Sequence, residues 1–380
     1  MACRLPLEGL RVVAVEQAVA APFCTSRLAD AGADVIKVER PEGDFARAYD
    51  KVAADQSSYF VWLNRGKKSV VLDLASDVGK AQLTELVTRA DVLVQNLKPG
   101  AFSRLGFPPD VLLKQHPRLI ICSISGYGET GPMAERKAYD LLIQAESGLA
   151  SITGRKEEPA RVGISIADIA TGATAHSAIL EALIQRSITG EGAHIQISMF
   201  DVMADWMTVP LLHQEGGSPP RPIGLSHPSI APYGVFFTAD SKPILLSVQS
   251  DREWAVLASQ LLEDVALISD PRFSTNVQRV AHRLETDRIV AKAFAALDEA
   301  EMCQRLASAD LAFARLNNIE DLSKHPHLRR ITVDTANGPV SYPAPAAIFI
   351  GKERAYGSVP ALGSTKVDVS GALQADNRDG

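Results

Sequence analysis

The fold is decided by residues 10–39, LRVVAVEQAVAAPFCTSRLADAGADVIKVE, which combine two apolar runs with a helical pattern between them. Leu10–Val15 predicts a buried strand, Ala20–Ala31 predicts a helix, and Asp34–Glu39 predicts a second strand. A strand, a helix and a strand within about thirty residues form a βαβ unit, whose strands are parallel and whose crossover is right-handed. This part of the chain is therefore expected to form a parallel α/β structure.

The same pattern continues along the chain. A helix is predicted from Gly79 to Ala90, and further strands are predicted at Ser69–Asp73, Asp91–Gln95, Leu119–Ile124 and His194–Ser198. These apolar runs are nearly continuous rather than alternating, which indicates that helices cover both faces of the sheet. The expected fold class is α/β, with a Rossmann-like, doubly wound large domain.

The clearest domain boundary is the proline- and glycine-rich stretch GGSPPRP at 216–222. Beyond it, a predicted hairpin and three helical patterns indicate a smaller α+β domain; they lie at 234–248, 252–262, 280–297 and 299–308. We expect the first part of the large domain over 1–215, the small domain over 222–325, and a C-terminal return to the large domain over 326–380.

The composition restricts the possible functions. Hydrophobic residues make up 46% of the chain, charged residues 22%, and the net charge of −6 gives a nucleic-acid partner no electrostatic support. Four scattered cysteines without a CxxC pair favour a reducing compartment over a disulfide framework or a zinc site. Neither a signal-peptide core nor a run of eighteen apolar residues occurs, so a cytoplasmic protein without a membrane partner is expected.

Asp168 follows the apolar run RVGISIA at 161–167 and precedes a small and aliphatic segment with helical spacing. Two interpretations are open at this position. The carboxylate is either an N-cap that accepts a first-turn N–H, or a nucleophile placed near the free N–H groups of the helix. Position alone favours the cap.

The glycine stretch GYGETG at 126–131 matches the dinucleotide fingerprint and follows a predicted strand. The residues after it, 133–137, have no apolar face that a helix could pack on the sheet, so a glycine loop that lines a site is favoured over nicotinamide or flavin binding. His325 and His327 have no acid or cysteine cluster nearby, and no metal site is expected.

Basic residues follow several predicted strands, namely Arg40, Lys98, Arg104 and Lys137. Ligands of open parallel sheets bind outside the carboxyl ends of the strands, and a row of cations there suits a polyanion that carries several phosphates. A solvated basic face is the alternative, and the residues alone leave both open.

Six stretches together resemble one family. They are PLEGLRVV (6–13), LADAGADVIKVERP (28–41), LNRGKKS (63–69), VQNLKPG (94–100), ISGYGETGP (124–132) and SITGEG (187–192). On these residues the chain resembles the class III (CaiB/BaiF-type) CoA-transferases, and within them the members that act on short dicarboxylates. The same fold also serves α-methylacyl-CoA racemase.

The resemblance implies coenzyme A as a co-substrate, no tightly bound cofactor, acyl-CoA and carboxylic acids as substrates, and two subunits in an interlocked homodimer. It implies that Asp168 is the nucleophile. The positions that match the CoA contacts of the family are Gln17, Arg40, Leu63, Lys67, Asn96, Leu97, Arg104 and Lys137.

Racemases of this family carry Gly-His-Asp after the glycine loop, because deprotonation beside the thioester needs a histidine base. Here the residues are Ala138-Tyr139-Asp140, which favours a transferase. We expect transfer of CoA from succinyl-CoA to a short carboxylate such as itaconate, mesaconate or malate, through an aspartyl anhydride and an aspartyl-CoA thioester. A racemase or epimerase, a transferase for formyl-CoA or another monocarboxylate, and a non-catalytic CoA-binding protein stay as alternatives. Arg65, Arg161 and His227 are unranked candidates for the distal carboxylate of the acid.

Overall fold

The computed structural model describes residues 5–155, 157–351, 353–367 and 373–375. The strands of this part are β1 (Arg11–Val15), β2 (Asp34–Glu39), β3 (Lys67–Val71), β4 (Val92–Gln95), β5 (Ile120–Ser125), β6 (Gly154–Arg155), β7 (Glu158–Pro159), β8 (Ala193–Ser198), β9 (Tyr233–Phe237), β10 (Pro243–Ser247), β11 (Ala312–Arg315), β12 (Arg330–Thr335), β13 (Gly338–Pro343), β14 (Thr365–Val367) and β15 (Leu373–Ala375). The helices are α1 (Ala20–Asp30), α2 (Ser58–Asn64), α3 (Asp77–Thr88), α4 (Ala101–Arg104), α5 (Pro109–Gln115), α6 (Asp140–Glu146), α7 (Leu149–Ile152), α8 (Ile166–Thr189), α9 (Met199–Trp206), α10 (Thr208–Glu215), α11 (Asp251–Gln260), α12 (Asn276–Ala281), α13 (Arg283–Phe294), α14 (Glu299–Ser308) and α15 (Ile319–Ser323). Two 3₁₀ helices span Phe45–Ala48 and Val265–Ile268.

The central element is a six-stranded sheet in the order β3-β2-β1-β4-β5-β8, and all its strand pairs are parallel. The register places Val13 of β1 opposite Ile36 of β2 on one side and Leu93 of β4 on the other. The α/β class predicted from the sequence is confirmed. Because the chain moves outward in opposite directions from β1 and β4, a crevice for a ligand is expected outside their carboxyl ends.

Successive residues of β1 point to opposite faces of the sheet, and both faces are buried. Val12 and Ala14 belong to an apolar core that includes residues of α1 and α8. Val13 and Val15 belong to a second core that includes residues of α3 and α5. Helices on both faces explain why the strands are continuous apolar runs.

Residues 1–150, 161–212 and 329–380 belong to one compact unit, so far as they are described, and residues 151–160 and 213–328 to another. In the first unit, β12 and β13 contribute to a small core with α2, in which Val333 packs with Phe60 and Val61. The second unit has the antiparallel sheet β11-β10-β9 and a core around Trp254 and Phe294. The domain limits predicted from the sequence, 1–215, 222–325 and 326–380, are not tested by these two units and stay a prediction.

Three local features differ from the sequence-based expectations. Helix α8 begins at Ile166, two residues before Asp168. The apolar pattern of residues 199–214 predicts a single helix, but the structure divides this segment at Met207 into α9 and α10. The hairpin of β12 and β13 was not predicted, because its exposed and half-buried residues form no strong apolar run.

Candidate active site

A cavity of about 460 Å³ lies at the carboxyl ends of β1, β4 and β5, in the first unit. The residues that follow these strands line it, and the start of α8 contributes Asp168 to its wall. The main lining segments are 17–20, 96–99, 124–126 and 136–141. The cavity therefore occupies the crevice that the strand order predicts for a ligand.

Asp168 stands on the first turn of α8, and another residue caps that helix. Ser165 precedes the helix without a side-chain capping bond. Instead, Oδ1 of Asp140 accepts the backbone N–H of Ala167 at 2.8 Å and that of Asp168 at 3.3 Å. The interpretation of Asp168 as the N-cap is wrong, because the first-turn donors are satisfied from α6.

Asp140 is itself held in place by Gln144. The Gln144 side chain donates to Oδ2 of Asp140 at 2.7 Å and accepts the backbone N–H of Val162 at 2.9 Å. These bonds tie the start of α6 to the segment that leads into α8. The position of Asp168 thus depends on side chains distant from it in sequence.

The Asp168 carboxylate is half-buried at the cavity and accepts no hydrogen bond from the described residues. Burial, and to a smaller degree the negative charge of Asp140, raise the pKa of Asp168 to about 7. Near neutral pH this carboxylate is therefore poised between its two protonation states. A poorly solvated, ionised carboxylate without a hydrogen-bond donor is suited to nucleophilic attack.

Three tyrosines, Tyr49, Tyr59 and Tyr139, line the same cavity as this carboxylate, and no sequence motif indicated the first two. The Tyr59 hydroxyl lies 3.3 Å from Oγ of Ser165, and its ring packs edge-to-face on Tyr49 at 5.5 Å. Burial and then the charge of Asp44 raise the pKa of Tyr49 to about 12, so its hydroxyl stays protonated. Their location between β2 and β3, after the carboxyl end of a parallel strand, is the signal that could have found them.

Tyr139 lines the cavity. It occupies the position at which the racemases named in the sequence analysis carry a histidine. No histidine is among the described residues that line this cavity. The described part of the chain therefore offers no imidazole base opposite Asp168.

The structure brings together five of the positions expected to contact CoA. Gln17, Asn96, Leu97 and Lys137 line the main cavity. Arg40 lines a second cleft of about 190 Å³, which shares Gln17 and Leu97 with the first. Gln17 and Leu97 thus lie where the two clefts meet.

The other three positions lie outside both clefts. Leu63 is 1% exposed and packs with Val19 and Phe23. Arg104 is exposed on α4. Lys67 is buried, and its Nζ donates to Glu16 Oε1 at 2.7 Å, to the Pro22 carbonyl at 3.1 Å and to Asn64 Oδ1 at 3.1 Å. Burial lowers the pKa of Lys67 to about 8.

Of the three candidates for a distal carboxylate, Arg161 lines the cavity and is exposed. Arg65 is buried in an ion pair with Asp30. His227 belongs to the second unit and stacks on Tyr233 with 5.2 Å between the ring centroids. Arg161 is therefore the candidate whose guanidinium can meet a ligand in this cavity.

The glycine stretch 126–131 forms a loop, and no helix begins until Asp140. This agrees with the interpretation that it is not a dinucleotide fingerprint, since that motif opens a helix at its last glycine. A Cβ atom on Gly126 would lie 2.2 Å from Cβ of Ala138, so the loop backbone passes very close to that residue.

Two further features concern metals and membranes. Within residues 5–155, 157–351 and 353–367, no group of three or more histidine, cysteine, aspartate or glutamate side chains could hold a metal ion. None of the described helices is long and apolar enough to span a bilayer.

Comparison with known proteins identifies the class of this site. The model of CoA-transferase family III matches residues 7–365. The chain is 35% identical over 349 residues to a succinate–glutarate CoA-transferase of Agrobacterium fabrum, covering 88% of this chain and 87% of that protein. It is 35% identical over 371 residues to an acetyl-CoA:oxalate CoA-transferase of Acetobacter aceti, covering 97% and 94%. A crystal structure of a CaiB/BaiF family protein from Brucella suis matches with a TM-score of 0.80 and 33% identity over 95% of this chain and 97% of that one. The chain belongs to CoA-transferase family III, a class of enzymes that use CoA thioesters as co-substrates.

Proposed function

We propose that the protein transfers CoA from succinyl-CoA to a short-chain dicarboxylate, with Asp168 as the nucleophile. The observation that carries the proposal is the Asp168 carboxylate at the cavity, which accepts no hydrogen bond from the described residues. Asp140 accepts the first-turn N–H groups of α8, so the Asp168 carboxylate is not needed as the cap of its own helix. Succinate, glutarate and oxalate in the names of the two relatives are all dicarboxylates. Itaconate, mesaconate and malate belong to the same chemical class as acceptors.

The proposed chemistry exchanges activated acyl bonds at one carboxylate. Asp168 attacks the thioester carbonyl of succinyl-CoA, forming a mixed anhydride and releasing CoA thiolate. The thiolate attacks the Asp168 carbonyl, forming an aspartyl-CoA thioester and releasing succinate. The acceptor carboxylate attacks this thioester and expels the thiolate, which then attacks the acceptor side of the new anhydride. Asp168 is regenerated, and the thioester energy passes to the acceptor.

The surroundings of Asp168 suit these steps. Partial burial of the carboxylate limits access of the water that would hydrolyse an anhydride. The protonated hydroxyl of Tyr49 and the backbone of the glycine loop supply donors for developing negative charge, and Tyr59 lines the same cavity. The raised pKa keeps the carboxylate reactive when it is ionised.

We place CoA across the two connected clefts. Its nucleotide and pyrophosphate lie at the cleft of Arg40, its arm passes Gln17 and Leu97, and its thioester reaches Asp168. Lys98 and Lys137 are exposed at the main cavity and add positive charge along this path. Leu63 packs against Val19 and Lys67 bonds to Glu16, so both contact the chain that follows β1, and Arg104 on α4 is next to Leu105 of the second cleft.

Two properties beyond the reaction belong to the same proposal. Trp206, Val209 and Leu212 on α9 and α10 are 56%, 64% and 61% exposed, an apolar surface that a second subunit of an interlocked homodimer would cover. Light scattering after gel filtration tests the dimer.

The cysteines fit the proposed location in the cytoplasm. Cys24, Cys122 and Cys303 are free thiols, as suits a reducing compartment, and Cys3 lies outside the described residues.

The test is an assay of succinyl-CoA against a panel of short mono- and dicarboxylates, with wild-type protein, Asp168→Ala and Asp205→Ala. Asp205 lies beside the proposed dimer surface, so Asp77→Ala, at an exposed aspartate on α3, is measured beside it and serves as the control. We expect transfer to a dicarboxylate by wild type and Asp77→Ala, and a loss of at least about 10³-fold in Asp168→Ala while CoA still binds. Undiminished transfer by Asp168→Ala contradicts the proposed nucleophile.

A further inference from the structure

Four backbone polar groups of the segment Glu16–Ala18, here called the bracket, lie within hydrogen-bond distance of side chains from other elements. Asn96 accepts the Gln17 N–H at 3.0 Å and donates to the Gln17 carbonyl at 2.8 Å. Asp44 accepts the Ala18 N–H at 3.1 Å. Nζ of Lys37 lies 3.4 Å from the Glu16 carbonyl. The bracket follows β1 directly, so its conformation sets how the chain enters the cavity.

The bracket has a conformation that needs this support. Ala18 has a φ of 64°, in the left-handed region that alanine adopts only when its surroundings hold it there. Gln17, the residue before it, lines both clefts. An unfavourable backbone conformation beside a site is typical of a segment whose position affects ligand binding, and the bracket is such a segment.

Two of the supporting side chains, Lys37 and Asp44, belong to a buried ion cluster. Lys37 pairs with Asp44 at 2.9 Å and with Glu16 at 3.5 Å, and Lys67 pairs with Glu16 at 2.7 Å. All four of these side chains have no exposed surface in those pairs. Glu16 and Asp44 are among the residues that line the second cleft, although their side chains have no exposed surface. Asp44 also accepts the Ala46 N–H at 2.9 Å and so caps the 3₁₀ helix Phe45–Ala48, which makes Asn96 the residue that tests the bracket most cleanly.

Asn96 lines the cavity, and its side-chain amide also holds the backbone of the bracket. Both polar atoms of its amide are engaged with the Gln17 backbone, and this pairing fixes the orientation of the amide. These bonds join the residues that follow β4 to those that follow β1, the adjacent strand of the sheet.

We propose that Asn96 and Asp44 are positioning residues, which act on CoA and on transfer by holding the bracket so that Gln17 faces both clefts. The inference rests on the proposed function, because it takes CoA as the ligand of these clefts. It separates Asn96 from the residues that contact CoA directly and gives the buried Lys37–Asp44 pair a part in the reaction.

A double-mutant cycle tests this inference. Asn96→Ala and Asp44→Ala are each measured alone and combined with Gln17→Ala, by kcat/KM for transfer and by calorimetric affinity for CoA. We expect each single variant to lose about 10- to 100-fold in kcat/KM, because small displacements at a site are costly. In combination with Gln17→Ala, each should add no more than about a twofold loss, because the side chain that the bracket positions is then absent. Losses that multiply in the combined variants overturn the inference.

The matched control is Asp30→Ala, which removes another buried, ion-paired carboxylate, the partner of Arg65, outside the bracket. Its effect, whatever its size, should multiply with that of Gln17→Ala. Circular dichroism and thermal unfolding confirm that each variant is folded. If Asp44→Ala does not fold, Asn96→Ala leaves the buried charges intact and decides the question alone.

The two measured quantities distinguish failure of the bracket from failure of the proposed function. If wild type binds CoA and transfers to no acid, the proposed function is wrong, and the cycle on CoA affinity still tests the bracket. If wild type transfers and the combined losses multiply, the bracket is wrong and the function stands.

Discussion

Asp140 caps the helix that carries Asp168, through an oxygen that lies 3.3 Å from the Asp168 backbone nitrogen and 2.8 Å from that of Ala167. The two carboxylates therefore have different tasks. Asp140 satisfies the first turn of α8, and its charge adds to burial in raising the pKa of Asp168. One carboxylate accepts the N–H groups of the helix, and its neighbour accepts no hydrogen bond from the described residues at the cavity.

This relationship predicts the pH dependence of the reaction. Only ionised Asp168 attacks a thioester, so kcat/KM of wild type should rise with pH and level off above about 7. Asp140→Asn removes the neighbouring charge and keeps an oxygen that can accept the helix N–H groups. The pH at which kcat/KM reaches half its maximum should therefore be lower in Asp140→Asn than in wild type. Glu135→Gln changes a residue of an exposed loop and should keep the wild-type midpoint. An unchanged or higher midpoint in Asp140→Asn contradicts this origin of the shift.

The same pKa predicts a cost to stability. The ordinary pKa of an aspartate is 3.8 and that of folded Asp168 is about 7, so the folded protein binds this proton more tightly than the unfolded chain. The contribution of Asp168 to the free energy of unfolding is thus largest below pH 3.8 and decreases as the pH rises to about 7. Urea unfolding should show Asp168→Asn gaining on wild type by on the order of 2–4 kcal/mol between about pH 4 and pH 8. A difference that is constant over this range contradicts the prediction.

Gly126→Ala should impair the site because of one close approach. The added Cβ would lie 2.2 Å from Cβ of Ala138, which displaces either the glycine loop or the segment that leads to Asp140. We expect a loss of about 1–3 kcal/mol in the free energy of unfolding and a fall in kcat. Gly163→Ala is the control, since nothing lies within 4 Å of its Cβ. Adding Ala138→Gly should restore part of the loss; if it restores nothing, the contact is not the cause.

Arg161→Ala should change the choice of acid. If its guanidinium pairs with the distal carboxylate, kcat/KM should fall about 10- to 100-fold for dicarboxylates and little for monocarboxylates of similar length. Arg136 also lines the cavity but is paired with Glu146 at 2.7 Å, so Arg136→Ala is a matched comparison. Equal losses for both kinds of acid would show that Arg161 does not read the distal group.

The features that the sequence predicted are those with local signals. The βαβ unit of residues 10–39 follows from continuous apolar runs on either side of a helical pattern. The location of the site follows because open parallel sheets bind ligands outside the carboxyl ends of their strands, and Lys98 and Lys137, which follow predicted strands, line the cavity there. Asp168 was predicted at the start of a helix, and the structure places it on the first turn of α8.

The features that escaped prediction are contacts between residues far apart in the chain. Asp140 and Ala167 are 27 residues apart, Gln17 and Asn96 are 79 apart, and Tyr59 and Ser165 are 106 apart. No periodicity connects such pairs, because only the packed sheet brings them together. Lys67, whose position matches a CoA contact of the resembling family, also lies in the buried ion cluster, which no local sequence pattern indicates.

The central claim is that Asp168 carries the acyl group and then CoA. The most direct measurement incubates the enzyme with succinyl-CoA, quenches it with hydroxylamine, and sequences the digested peptides by mass spectrometry. The account predicts a hydroxamate on Asp168 that requires succinyl-CoA and does not form with free CoA, because only an anhydride or thioester of the side chain reacts in this way. Turnover with an unmodified Asp168, or with the hydroxamate on Asp140 instead, would contradict it.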